Sequence, residues 1–184
     1  MKRASLLLLK ITTILCMNRK EAELVRVLSE KYKIDYQILI VSEGQRINNF
    51  ELNQSKFTQI VRAKNIERTV IARSEIVRVG YFLFLENDEE TSKILSKFEP
   101  IMFRRYIWFI RTFDKQNTFN IELDFDMDIN LLHETGRGID IYELYGLQGQ
   151  AVLTQFGTFS NRFFNFESIN KLERRTNLMG LTLR

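Results

Sequence analysis

The run Tyr36-Gln37-Ile38-Leu39-Ile40-Val41 decides the fold class, because five of its six residues are apolar or aromatic and most of them favour β-strands. A strand that is apolar at nearly every position is typical of a sheet covered on both faces. Residues 42–44 end this strand with turn chemistry. Similar buried strands are predicted at 79–85 and 106–110.

Helical patterns separate these strands. Apolar residues recur at spacings of three and four over residues 20–32, which predicts an amphipathic helix. A second helix is predicted at about 51–64, followed by a short strand at 69–72. The residues expected to be buried in this second helix are Leu52, Phe57, Ile60 and Val61.

A third helix is predicted to begin at Asn87, with Glu90 completing a capping box. Glu89 and Glu90 then lie in its first turn, where carboxylates offset the helix dipole. Pro100 is expected to mark its end. Alternating helices and buried strands predict an α/β layer with a mainly parallel sheet and flanking helices.

Residues 118–130 show a different pattern, in which apolar and polar side chains alternate. The alternation predicts a long strand with one buried and one solvated face, with Phe125 in its middle on the apolar side. Its acidic residues are about 6.6 to 7 Å apart along one face, too far for neighbouring carboxylates to chelate one cation, so no metal site is predicted. Two further short strands, at 139–142 and 151–154, are expected to join through Gly146 and Gly149 as a partly antiparallel extension.

No catalytic pattern emerges from the sequence. His133 is the only histidine and has no recognisable nucleophile motif, so it is interpreted as a surface loop residue. The segment 136–138, Gly-Arg-Gly, is interpreted as a plain turn, because a phosphate site would need a strand before it and a helix after it. Cys16 is the only cysteine and forms no internal disulfide. We therefore predict a protein that is not an enzyme and uses no cofactor or metal.

The amino terminus and the charge distribution bear on location and partners. Residues 1–18 have the charged-then-apolar order of a signal peptide, which Lys10 interrupts. Asn53 begins a glycosylation sequon, Asn-Gln-Ser. The net charge is +4, and the basic residues are scattered over helix faces without surface aromatics between them. No nucleic-acid partner is therefore predicted.

Three segments near the carboxyl terminus resemble one family. They are 140–145 (Asp-Ile-Tyr-Glu-Leu-Tyr), 155–159 (Gln-Phe-Gly-Thr-Phe) and 173–181 (Glu-Arg-Arg-Thr-Asn-Leu-Met-Gly-Leu). The series is similar to the "vYk", "G-x-W" and "RR-x-NL-x-G" elements of insect chemosensory ionotropic receptors of the 75a group, with Phe159 in place of the usual tryptophan. In that family these elements end the extracellular N-terminal region, just before the ligand-binding domain.

This resemblance implies a domain organisation and a function. Residues 19–172 would form an extracellular, non-catalytic α/β receptor domain, similar to half of a periplasmic-binding-protein-like domain, and 173–184 would be its junction with the first strand of a ligand-binding domain. The junction residues would be Arg174, Arg175, Asn177, Leu178 and Gly180. The receptor would be a ligand-gated cation channel for odorant detection in the cell membrane, assembled with co-receptor subunits. Family ligand and pore residues lie in regions beyond this segment, through which alone the receptor would meet the membrane. The chain is expected to be either a truncated receptor, which is favoured, or a stand-alone N-terminal domain.

Two alternatives stay open. The α/β alternation is also compatible with a small flavodoxin-like nucleotide-binding or enzyme domain, although 42–44 is too short for a phosphate loop. A cytosolic α/β interaction domain is favoured if Lys10 prevents export. The odorant and the partner subunit are not determined by the sequence.

Overall fold

The computed structural model describes residues 19–45, 57–68, 77–117, 119–161 and 163–166. The helices there are α1 (Arg19–Lys31), α2 (Asp88–Leu95) and α3 (Pro100–Arg105), with a 3₁₀-helix at Ala63–Arg68. The strands are β1 (Tyr36–Val41), β2 (Phe57–Arg62), β3 (Val79–Phe84), β4 (Ile107–Thr112), β5 (Asp128–Thr135), β6 (Gly138–Leu147), β7 (Gln150–Ser160) and β8 (Phe163–Phe166).

The described strands form one mixed sheet in the order β2-β1-β3-β4-β5-β6-β7-β8. Neighbours from β2 to β5 are parallel. Neighbours from β5 to β8 are antiparallel. The predicted fold class, an α/β layer with a mainly parallel sheet and an antiparallel extension, is confirmed.

Both faces of the parallel part carry a core, as the apolar strands require. On one face α1 places Leu24 and Leu28 against Phe82 and Phe109 of the sheet. On the other face α2, α3 and the 3₁₀-helix pack over the opposite side chains of β1, β3 and β4. β3 is buried at all six positions, and the predicted first helix and three buried strands therefore lie where their patterns placed them.

Trp108 is the centre of the second core. Its ring stacks on Tyr81 with centroids 4.3 Å apart, and its Nε1 donates a hydrogen bond to the carbonyl of Met102 at 3.1 Å. Indole nitrogens need a partner when buried, so this bond fixes α3 on the sheet. Pro100 is the first residue of α3, whereas α2 already ends at Leu95, so the proline opens a helix instead of closing one.

The helix predicted at 51–64 is wrong for its described part. Residues 57–62 are strand β2, which pairs in parallel with β1 from Tyr36 to Val41. Val61 is buried and Ile60 is 36% exposed, as expected for an edge strand rather than a helix stripe. The sheet contact therefore overrides the local helical spacing. Leu52 and the strand expected at 69–72 lie outside the described residues.

The long strand predicted at 118–130 is also wrong. Regular strand begins only at Asp128, and Phe119 and Asn120 have φ values of 56° and 51°. Because β5 runs parallel to β4, the preceding residues must carry the chain back along the sheet. Phe119 and Met127 are buried in the second core, so this extended connection alternates because one of its sides faces the core.

The antiparallel extension is longer than predicted, since β6 has 10 residues and β7 has 11. Their turn lies at Gln148 and Gly149, whose φ values are 53° and 77°. Gly146 lies inside β6 and is not a turn residue. A Cβ there would overlap the carbonyl oxygen of Leu123, while its N–H donates to Asp124 O at 3.1 Å. Only glycine allows the crossing connection to approach so closely.

Candidate functional site

The carboxyl ends of β1 and β3 form a candidate site. The two strands are neighbours, yet the chain leaves β1 towards β2 and β3 towards β4, on opposite sides. In open α/β sheets ligands bind in the crevice at such a reversal of strand order. Here this edge of the sheet is formed by residues 42–45 after β1 and 85–88 after β3.

Ser42 and Glu90 join the two sides of this edge. Ser42 is 2% exposed, and its Oγ donates to Oε2 of Glu90 at 2.5 Å. The N–H of Glu86 donates to Ser42 Oγ at 3.0 Å and to Glu90 Oε2 at 3.2 Å. The hydroxyl and carboxylate that a ligand could have used are therefore engaged with the protein itself.

The predicted cap of α2 is confirmed in its main contact. Asn87 Oδ1 accepts the N–H of Glu90 at 2.8 Å. The side chain of Glu90 accepts the N–H of Glu86 instead of that of Asn87. The second hydrogen bond of the capping box therefore involves the residue before the N-cap. Asp88, Glu89 and Glu90 occupy the first turn, where they add negative charge at this edge of the sheet.

Asp88 makes a second connection that the sequence did not reveal. Its carboxylate accepts the N–H groups of Phe113 and Asp114, both at 3.0 Å, and lies 3.4 Å from the hydroxyl of Thr112. These contacts attach the start of α2 to the end of β4. The position of Asp88 directly after a predicted helix cap is the sequence feature that could have identified it as a contact residue. Its partners at the end of β4 are set by the fold.

Arg62 closes the β1 side of the edge. Its Nη1 donates to the carbonyl of Ser42 at 2.9 Å and also to that of Gln45. The Gln45 side chain is 4% exposed, and within the described residues its Oε1 has no hydrogen-bond partner. Lys64 pairs with the exposed Glu43 at 2.5 Å, and this contact is the main cause that lowers the pKa of that carboxyl.

The interpretation of His133 as a surface loop residue is wrong. His133 is a half-buried residue of β5, and its Nδ1 is 3.3 Å from the carbonyl oxygen of Thr112. A strand position beside the β4 ladder arises because β5 extends to Thr135. Among the described residues no group of three or more His, Cys, Asp or Glu side chains could hold a metal ion.

The acidic residues before β5 contact a basic residue. Arg104 of α3 pairs with Asp124, and its Nε is 3.8 Å from Asp126 Oδ1. The predicted ladder of carboxylates on one strand face is absent from residues 119–127, because these residues form the connection described above. Phe125, expected at the centre of that strand, lies in a turn and packs edge-to-face on Tyr145 at 6.0 Å.

A charged network lies under the start of α1. Glu21 is 7% exposed and accepts from Arg111 Nη1 at 3.1 Å. Arg111 Nη2 also lies 3.5 Å from Glu134, which pairs with Lys20 at 3.3 Å. The network connects α1 to β4 and β5 and fixes the direction of the helix over the sheet.

A cleft of about 450 Å³ opens beside this network. α1 contributes Lys20 and Glu23 to its lining, the β5–β6 turn contributes residues 136–138, and the end of β7 contributes 159–161. The turn predicted at 136–138 is confirmed, but no sequence pattern indicates that it borders a cleft. The walls meet because residues far apart in sequence converge at the end of the sheet.

Several predicted residues lie outside the described part of the chain. They are the glycosylation candidate Asn53 and the junction residues Arg174, Arg175, Asn177, Leu178 and Gly180. The possible signal peptide at 1–18 also lies outside it.

Comparison of the chain with protein-family models, with curated proteins and with solved structures found no match. Among the described residues, no helix is both long and apolar enough to cross a membrane.

Proposed function

We propose that this chain forms the extracellular, non-catalytic N-terminal domain of an insect chemosensory ionotropic receptor. The proposal rests on the motif series at 140–145, 155–159 and 173–181. The observation from the fold that supports it is the α/β sheet, which is the class the resemblance implies. In the full-length receptor the domain would lie outside the cell membrane and assemble with co-receptor subunits, while ligand-binding and pore regions would supply odorant detection and cation conduction.

The edge of the parallel sheet is consistent with a non-catalytic role. Its hydroxyl and carboxylate groups bond to each other or to backbone N–H groups, with Ser42 held by Glu90 and Asp88 held by the end of β4, while Gln45 Oε1 has no hydrogen-bond partner among the described residues. Ser42 is 2% exposed, so a substrate has little access to its hydroxyl. These contacts support a domain whose buried polar groups serve its own fold.

The transcript tests this proposal most directly. An in-frame continuation beyond codon 184 into a two-lobed binding domain and three membrane spans is the expected result. A stop codon there in every transcript would overturn the receptor assignment.

Extracellular location has its own test in insect cells. The full chain is expressed with its own amino terminus, and glycan on Asn53 is measured by the mass lost on enzymatic deglycosylation. We expect a glycosylated chain whose glycan disappears in Asn53→Gln and persists in the neighbouring Gln54→Ala. An unmodified chain in the cytosol would favour the interaction-domain alternative.

The strand order also favours a second candidate. β2-β1-β3-β4-β5 is the order of flavodoxin-like sheets, whose ligands bind at the β1/β3 crevice. Against nucleotide binding, three carboxylates occupy the first turn of α2, where phosphate would be repelled. Titration with flavin mononucleotide and with adenosine triphosphate discriminates the two, since saturable binding of either would favour this candidate over the receptor domain.

A further inference from the structure

We propose that the outer edge of strand β2 pairs with the same edge of a second copy of this chain. β2 (Phe57–Arg62) stands at one end of the sheet, and among the described residues it pairs with β1 alone. Alternate residues of an edge strand point their N–H and C=O groups away from the sheet, where another strand can bond to them. The inference is independent of the receptor assignment, because it uses only the geometry of described residues.

The composition of β2 leaves this edge open to pairing. Edge strands are usually protected by proline, by charged residues within the strand, by a bulge or by short length. β2 has six residues, Phe-Thr-Gln-Ile-Val-Arg, without proline or acidic residues, and its one cation, Arg62, stands at the end. Its pairing with β1 runs from Tyr36 to Val41 without a register shift. Because the opposite edge strand, β8, has only four residues, β2 is the less protected edge of the described sheet.

Ile60 is the apolar side chain that this pairing would bury. It is 36% exposed, whereas Val61, on the other face of β2, is 6% exposed. The guanidinium of Arg62 donates to the carbonyl oxygens of Ser42 and Gln45, so its charge is held against the loop after β1. Burial of Ile60 against a second strand would release free energy, and apolar β-branched pairs across strands add to that gain.

Symmetry and the strand pleat restrict the register of the pair. Two copies of one strand that pair antiparallel are related by a two-fold axis perpendicular to the sheet, so residues opposite each other lie on the same face. Because side chains alternate between faces with a period of two, opposite residues must be an even number of positions apart in the sequence. An axis at Ile60 satisfies this condition, pairs all of residues 58–62 and places Ile60 opposite the partner's Ile60.

The same register keeps like charges apart. Thr58 lies opposite the partner's Arg62, and Gln59 lies opposite the partner's Val61. The two Arg62 side chains stand at opposite ends of the paired segment, about 14 Å apart along the strands. Within 58–62 no charged side chain therefore faces another. β2 is complementary to itself in this arrangement, and the occupant that we assign to its edge is a second copy of the chain.

The test is the oligomeric state of the full chain, measured by analytical ultracentrifugation over a range of concentrations. We expect a reversible equilibrium between monomer and dimer. Ile60→Lys places two like charges opposite each other and removes two buried isoleucines, so the dissociation constant should rise about tenfold or more. Ile60→Glu should have the same effect. An equal mixture of the two variants should dimerise again, because a lysine then faces a glutamate.

The matched control is Ile101, an isoleucine of α3 that is 42% exposed, and Ile101→Lys should leave the dissociation constant unchanged. Disulfide formation tests the register even if a charged variant does not fold. In a Cys16→Ser background, Ile60→Cys should form a covalent dimer on mild oxidation. Opposite residues of antiparallel strands have Cα atoms about 4.5 to 5.5 Å apart, which a disulfide can span. Ile101→Cys should remain monomeric under the same conditions.

Several outcomes would overturn the proposal. A chain that stays monomeric up to about 1 mM would exclude self-pairing and leave the edge to an extended segment of a different protein. A dimer that Ile60→Lys leaves intact, or equal cross-linking at the two cysteine positions, would place the interface elsewhere. Oligomers larger than a dimer, or a mixture of the lysine and glutamate variants that does not reassociate, would contradict the two-fold register at Ile60.

Discussion

The carboxylate of Asp88 accepts the backbone N–H of Phe113 at 3.0 Å, which joins the first residue of α2 to the residue after β4. It also accepts the N–H of Asp114 at 3.0 Å. Asp88→Ala should therefore lower the free energy of unfolding by about 1 to 3 kcal/mol, because two backbone donors lose a charged acceptor. Urea denaturation measures the change.

Glu89→Ala is the control for that change, since Glu89 is the next residue of α2 and is exposed. We expect it to cost about 0.5 kcal/mol or less. Equal losses from the two variants would mean that helix-dipole effects, and not the contact with β4, explain the role of Asp88.

Tyr81 should tolerate loss of its hydroxyl. The side chain is fully buried, and its Oη has no hydrogen-bond partner among the described residues. Tyr81→Phe is expected to leave stability unchanged or raise it by about 1 kcal/mol, because an unpaired buried polar group is removed. The matched variant Tyr32→Phe removes a hydroxyl that donates to Asn130 at 3.3 Å and should cost about 0.5 to 1.5 kcal/mol. The reverse ranking in thermal melts would refute this reading of the two sites.

The stability of Tyr81→Phe and that of the unchanged protein should depend differently on pH in the alkaline range. Burial, helped by Tyr106 and Tyr36, raises the pKa of the Tyr81 phenol above its ordinary value of 10.0. Since the unfolded phenol ionises first, the folded state is fully favoured below about pH 10 and loses stability as the pH rises above that value. Tyr81→Phe should therefore show a shallower loss of stability between about pH 10 and 11 than the unchanged protein. Parallel curves would contradict the expected shift.

Gly146 and Gly136 should differ sharply when replaced by alanine. At Gly146 the new methyl group would overlap the backbone of Leu123, whereas at Gly136 it would meet nothing within 4 Å. We expect Gly146→Ala to cost more than about 2 kcal/mol and Gly136→Ala to stay within about 0.5 kcal/mol. Differential scanning calorimetry gives both values, and a tolerated Gly146→Ala would show that the connection does not press on β6.

Ile129 and Phe125 test where regular strand begins. Ile129 is fully buried in β5, while Phe125 is half-buried in the preceding turn. Ile129→Ala should cost about 2 to 5 kcal/mol, and Phe125→Ala less than half as much, despite the larger ring. If Phe125→Ala were the more harmful change in urea melts, the result would support the uninterrupted strand that alternation predicts over 118–130.

The apolar runs of the sequence determined the central sheet. Tyr36–Val41 and the strands that include Phe82 and Trp108 are apolar at nearly every position, and such runs are stable only where helices cover both faces. Local chemistry likewise placed α1 and the Asn87 cap, because periodicity and capping act within a few residues of one another.

Alternation and helical spacing were not sufficient where the tertiary structure chose the partner. Residues 57–62 became a strand because β1 offered an unpaired edge, and residues 119–127 became a connection because β5 runs parallel to β4. In both cases the apolar pattern records only which side chains face a core.

The sequence by itself therefore determined the α/β class, its buried strands and the turns at 136–138 and at Gly149. The tertiary structure alone decided the strand order, the contact of Asp88 with β4 and the cleft beside Arg137. The physical reason is range: burial and capping depend on neighbours along the chain, whereas a crevice or cleft forms between residues that meet only after folding. Lys20 and Arg137, which are 117 positions apart (137 − 20), line one cleft for that reason.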